Sequence, residues 1–255
     1  MLKLFKLSFV TTVRQKSVFL VLLLLTVLPF VFLQMTNVEV DADVGGAAVA
    51  QAVWQLAWVA ACFWLVYCAA SMGGEHVRSR LGEYFLSGGV TKSSQLFGLW
   101  LTTLLFSVLM LFVTMMVCIL AAGPEGPVAF RHWVVLSLQH AILFLVVVSA
   151  VNQFVIALAS RFGALVGYSG GLFLYLCGFY LALILDKIVM SKDVAFQDAL
   201  YVLLPHFYLA DLTHRFVHQQ GALTSVEFFG VFEYLAGWSL LLSIFAYLVF
   251  TPKSK

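Results

Sequence analysis

Serine, histidine, cysteine and lysine are the side chains of this chain most able to do chemistry, and their spacing decides which chemistry is open. Gly167-Tyr-Ser169-Gly170 sets a serine among small residues, but a serine attacks only with a base within hydrogen-bond reach. The last apolar stretch, 228–250, holds no histidine, and His206, His214 and His218 all precede it. Ser169 therefore reads as a small packing residue. The six histidines, which also include His76, His132 and His140, form no HExxH pattern. His214 and His218 are four residues apart and could share a metal on one helical face, but no third ligand accompanies them. Cys62, Cys68, Cys118 and Cys177 lie in apolar runs without a CxxC pair, the pattern of inert thiols. In Ser87-Gly-Gly-Val-Thr-Lys92-Ser93 the lysine lacks the glycine that precedes it in a phosphate loop, and no strand–helix unit surrounds it. This chain is expected to bind neither ATP nor any other cofactor. His140 sits inside an apolar stretch and Glu233 near the end of one. Neither has an evident charged partner, so a proton relay is not expected.

The elements that must position these groups are membrane spans. Of the 255 residues, 63% are hydrophobic and 10% charged, against about 25% charged in an ordinary soluble domain. Mean hydropathy is +1.02. Six apolar stretches, at 18–34, 48–72, 95–121, 133–160, 164–185 and 228–250, each approach or exceed the about 20 residues that cross the hydrocarbon core as a helix. The first is too long for a signal-peptide core and no small-residue cleavage site follows it, so it reads as a retained anchor. With both termini in the cytoplasm, the inner segments hold Lys3, Lys6, Arg14, Lys16, Arg78, Arg80, Lys92, Arg161, Lys253 and Lys255. The outer segments hold only Arg131, Lys187, Lys192 and Arg215, the asymmetry of the positive-inside rule. Basic residues are too scattered for a nucleic-acid surface, so no nucleic acid is expected as a partner.

Between the spans, residues 1–16 place Lys3, Lys6 and Arg14 on one side of a helix whose other face is apolar, as in a helix lying at the membrane interface. The loop 36–46 is short and acidic. The loop 73–94 is the most polar part of the chain: Glu75, His76, Arg78, Arg80 and Glu83 lead into Tyr84-Phe85-Leu86, and Ser87-Gly88-Gly89 follows. That predicts a short helix with an apolar patch, stopped by glycines. Gly123-Pro124-Glu125-Gly126-Pro127 is a turn. The outer segment 186–226 predicts two short amphipathic helices, one around Pro205 with Leu200, Leu203, Leu204 and Phe207. The other carries Leu209, Leu212 and Phe216, with Asp211 and Arg215 spaced for pairing and Gly221 at its end. Gly163, Gly167 and Gly171 repeat at every fourth position of the fifth stretch. That spacing lets another backbone approach, either in a subunit interface or in a tight crossing within the chain.

This arrangement resembles the membrane subunit of type-2 ATP-binding-cassette (ABC) exporters. The shared features are an interfacial N-terminal helix, six spans, a polar inner loop after the second span, and an outer helical excursion before the sixth. Locally, Leu81-Gly82-Glu83-Tyr84-Phe85-Leu86-Ser87 is similar to the family's stretch ending in Leu-Leu-Ser. Gly88–Val90 departs from the family, which usually has Pro or Arg there. The resemblance implies an all-α integral membrane protein with six transmembrane helices, an N-terminal interfacial helix and short outer helices between the fifth and sixth spans. It implies a non-catalytic permease in the bacterial inner membrane, working as a dimer with a second copy or homologue. Cytoplasmic ABC ATPase subunits would hold the ATP and Mg. They would dock on a coupling helix spanning 75–87, with Tyr84 and Phe85 as anchors and Glu75, Arg78, Arg80 and Glu83 as polar contacts. Pro205, Asp211 and Arg215 would belong to an outer gate. Two alternatives stand beside it. One is an ATP-independent six-helix carrier or accessory protein, disfavoured by spans nearly free of charge and by the lack of an internal repeat. The other is a rhomboid-like intramembrane serine protease, a family that puts its serine on the fourth span and its base on the last, whereas Ser169 is on the fifth.

Overall fold

The computed structural model describes residues 2–14, 16–35, 42–189 and 201–253, and among them every regular element is helical. In chain order these are α1 (Leu2–Arg14), α2 (Ser17–Met35), α3 (Ala42–Ala60), α4 (Val66–Arg78), α5 (Leu81–Ser87), α6 (Lys92–Leu120), α7 (Pro127–Phe162), α8 (Ala164–Leu176), α9 (Ala182–Val189), α10 (Thr213–Val217) and α11 (Ser225–Val249). Two π segments, Ala61–Leu65 and Cys177–Leu181, join α3 to α4 and α8 to α9, and a 3₁₀ turn covers Phe207–Ala210.

Among the described residues five helices are long and apolar enough to cross a membrane: Gly45–Arg78, Lys92–Leu120, Pro127–Phe162, Ala164–Leu185 and Ser225–Val249. A sixth is reached by counting α1 and α2 together across a bend of 62°. At that bend Lys16 takes a left-handed conformation, φ 57°. The chain is thus an all-helical protein of membrane-spanning type. Phe19, Leu23, Phe112, Leu165, Phe173, Leu240 and Leu248 are all exposed, a display of apolar side chains that lipid tolerates and water does not.

The 36-residue α7 is the central strut. Its buried face, including Val147, Val148, Val151 and Val155, takes α4 on one side and α8 on another. On α8, a Cβ at Gly167 would stand 2.6 Å from the Cβ of Ala159, and one at Gly171 would stand 2.5 Å from Val155 Cγ2 and 2.7 Å from Val66 Cγ1. Gly167 and Gly171 therefore serve a crossing within the chain. Gly163, φ 99°, is the hinge that turns α7 into α8. Along α11, Ser239 Oγ donates to the Val146 carbonyl (3.1 Å) and Ser243 Oγ to Gln153 Oε1 (2.7 Å).

Two expectations change. The coupling element foreseen as one helix over 75–87 is two: Glu75 and Arg78 complete the last turns of α4. Ser79 and a left-handed Arg80, φ 55°, then break the chain before α5 begins. In the outer segment, 190–200 lies outside the described residues, and with it Lys192 and Leu200, as do the side chain of Lys187 and the side chains of the acidic loop near 36–44. What is described there is a helical stretch at 201–203, the turn at Pro205, the 3₁₀ turn and α10. α10 ends at Val217, before Gly221.

Candidate functional site

At one end of the bundle α1, the end of α4, α5, the start of α6 and the ends of α7 and α11 meet. Lys6, Arg14, Arg78, Arg80, Lys92, Arg161 and Lys253 all belong to this basic end. A seven-residue helix such as α5 has too few internal hydrogen bonds to persist alone, and Gln95 holds it in place. Gln95 is wholly buried. Its Nε2 donates to the carbonyls of Gly82 (3.3 Å) and Val90 (3.1 Å), at the start of α5 and just beyond its end. With the amide nitrogen so committed, Oε1 is the acceptor facing His76 Nε2 at 2.7 Å. His76 therefore carries its hydrogen on Nε2 and ties α4 to α6.

The other side of α5 rests on the end of α11. Gly82 lies so close to the Pro252 carbonyl that no Cβ fits between them. Thr251 N–H donates to Ser160 Oγ (3.1 Å), which joins the same strap to α7. The His76 ring stacks against Phe250 at 6.2 Å. From this seat Phe85 packs inward against the core and Tyr84 stands 71% exposed, their rings in edge contact at 5.7 Å. Glu75, Arg78 and Arg80 are exposed around it, and Glu83 is half-buried. The residues named for coupling thus lie at one end of the bundle on two elements rather than one, with Tyr84 turned outward and Phe85 inward.

The opposite end is closed by the segment 201–224. Phe207 and Phe216 are buried in an aromatic cluster with Trp54, Trp58, Trp133 and Phe179. His140 of α7 is fully buried in it: Trp54 stacks on the ring at 3.9 Å, and Trp58 Nε1–H donates to His140 Nε2 at 3.2 Å. Asp211 Oδ1 lies 3.7 Å from the same nitrogen. Asp211 also accepts from Thr213 N–H (3.0 Å) and from the Thr213 hydroxyl, an Asx turn that starts α10. The expected Asp211–Arg215 pair is therefore not formed. Asp211 precedes α10 and turns inward, while Arg215 Nε donates to the Gly221 carbonyl (2.9 Å). Past Pro205, His206 N–H donates to Tyr234 Oη (3.1 Å), which also accepts from Trp238 Nε1 (2.9 Å), fastening the cap to α11.

The partner of His140 was not foreseen, because nothing in a linear sequence brings Asp211 to it. Ser169 Oγ donates to the Val166 carbonyl of its own helix (3.2 Å) and is exposed. The four cysteines are unpaired. Among the described residues no three of His, Cys, Asp and Glu converge as a metal site would require. No family model matches the chain, and neither a curated protein nor a solved structure matches it.

Proposed function

We propose that the chain is the membrane permease subunit of a type-2 ABC exporter, with six spans, both termini in the cytoplasm and a place in the bacterial inner membrane. The observation that carries this reading is the seat of α5. A short helix between two spans presents Tyr84 outward at the basic end, while Gln95, Phe85 and Pro252 fix it to three others. A force applied to such a helix passes into α4, α6 and α11 instead of being lost in a loop. The bent α1–α2 pair and the concentration of lysine and arginine at this end support the same orientation.

In this mechanism separate cytoplasmic ATPases bind ATP and Mg, close on one another and push on α5 of each permease in a dimer. The permease makes no covalent bond. It converts the push into a choice between two packed states, and the cap around Pro205, Asp211 and Arg215 opens or closes the outer exit. The test is purification of the tagged chain in mild detergent with identification of its companions. A nucleotide-binding protein near equal stoichiometry is expected, and Tyr84→Ala with Phe85→Ala should lower its recovery at least tenfold while leaving the permease inserted. Undiminished recovery and transport in that double variant would sink the assignment.

A second reading has an observation of its own. The buried His140, with the Asp211 carboxylate 3.7 Å away, is a titratable side chain inside an apolar span, as carriers use. Transport that persists when no ATPase accompanies the chain would favour an ATP-independent carrier.

A further inference from the structure

The basic end contains a recess whose described lining has no basic side chain. A cleft of about 250 Å³ opens between α1, the last turns of α4 and the start of α6. Among the described residues no lysine or arginine lines it, although Lys6 and Arg78 belong to the helices that form it. Ser8 and Ser71 line it with hydroxyls that can turn either way, and three other hydroxyls are fixed as acceptors. Thr11 and Thr12 donate their hydroxyl hydrogens to the Leu7 and Ser8 carbonyls (2.9 and 3.0 Å), and Ser79 donates its own to the Glu75 carbonyl (2.6 Å). Each oxygen keeps only lone pairs to offer. Glu75 adds a carboxylate to the same wall.

This wall is part of the bundle and not a surface accident, since Thr12 is 4% and His76 2% exposed. The Gln95 contacts put the His76 hydrogen on Nε2, so Nδ1 of the neutral ring is a further acceptor. It is the one buried side-chain nitrogen or oxygen of the wall without a partner. Leu4, Leu7 and Leu99 supply an apolar side.

We propose that this cleft binds a primary ammonium group, carried by a zwitterionic membrane lipid of the phosphatidylethanolamine kind. An ammonium brings three N–H donors and a positive charge to a wall of acceptors and one carboxylate, the strong form of hydrogen bond. A choline headgroup has the charge but no N–H, and an anionic headgroup is repelled by the Glu75 carboxylate. α1 is the amphipathic helix of this end, which sets the cleft at headgroup depth. Arg78 and Arg80 flank Ser79 and are exposed, so cations stand beside the cleft for the lipid phosphate. The inference needs only that this end meets a membrane surface, and it is independent of any transport role.

The full chain is reconstituted with equal amounts of phosphatidylethanolamine and phosphatidylcholine, and the lipids it retains are identified by native mass spectrometry. The wild type is expected to retain the ethanolamine lipid about tenfold over the choline lipid. Glu75→Gln, at an exposed position, should bring the ratio to about twofold or less. Equal retention by the wild type, or an unchanged ratio in Glu75→Gln, overturns the proposal. A second arm adds free ethanolamine to protein held in phosphatidylcholine alone and reads its melting temperature. Stabilisation by the free amine, without enrichment of the lipid, overturns the lipid as the source of the ammonium.

Discussion

At the basic end Gln95 reaches from α6 to the carbonyls on either side of α5 and to His76. At the capped end Gln139 of α7 reaches to Leu223, donating to its carbonyl at 2.9 Å and accepting from its N–H at 2.8 Å. Both glutamines clamp a connecting segment to a long helix, but their surroundings differ. Gln95 is wholly buried, and it bonds in a place that water does not reach. Gln139 is half-buried, and the segment it clamps is also held by Phe207 and Phe216 in the aromatic cluster. One end depends on hydrogen bonds in a dry place, the other on buried rings with hydrogen bonds at their edge. A polar clamp fixes orientation and gives way abruptly when a member is lost. An aromatic plug holds by area and can shift as a body.

That contrast can be broken from either side. Phe216→Ala should have the largest effect, about 3–5 kcal/mol from the cavity left behind. It should loosen the cap while leaving α5 protected, which hydrogen exchange resolved along the chain would check. Gln95→Leu should come next, at roughly 3 kcal/mol, because it leaves the Val90 carbonyl and the His76 N–H without their partner and cuts the tie to Gly82. Its melting temperature should fall, and proteolysis should open between residues 79 and 91 while the cap stays closed. Gln139→Leu should be the mildest, about 1 kcal/mol, since water reaches the groups it abandons. A drop as large as that of Gln95→Leu would show that the two clamps are equivalent and erase the distinction.

Much of the architecture was legible because lipid imposes a simple grammar: long apolar runs, polar turns, glycine at close crossings. The turn at 123–127, the hinge at Gly163, and the short helix stopped by Gly88 and Gly89 all follow from residue type. The site was legible only in part. Gln95 stands near the start of an apolar run, and sequence alone does not say whether such an amide faces a headgroup or a buried carbonyl. The break at Arg80 was invisible because arginine carries no signal for a left-handed backbone. Asp211 beside Arg215 suggested the local pairing rule, but its carboxylate turned to an Asx turn and to His140, a partner set only by the packing of the cap on α7.

The two π segments have a consequence for how this chain can change length. A π turn is an α-helix carrying one inserted residue, and each residue turns an α-helix by about 100°. The bulge at Ala61–Leu65 keeps Trp54 and Trp58 facing His140 above it while Gly73 and His76 face α7 and Gln95 below. Deleting a single residue there would restore an unbroken α-helix, yet it would rotate one of those faces out of contact. Insertions and deletions in this stretch therefore act on both ends of the bundle at once, whereas ordinary substitutions act on one.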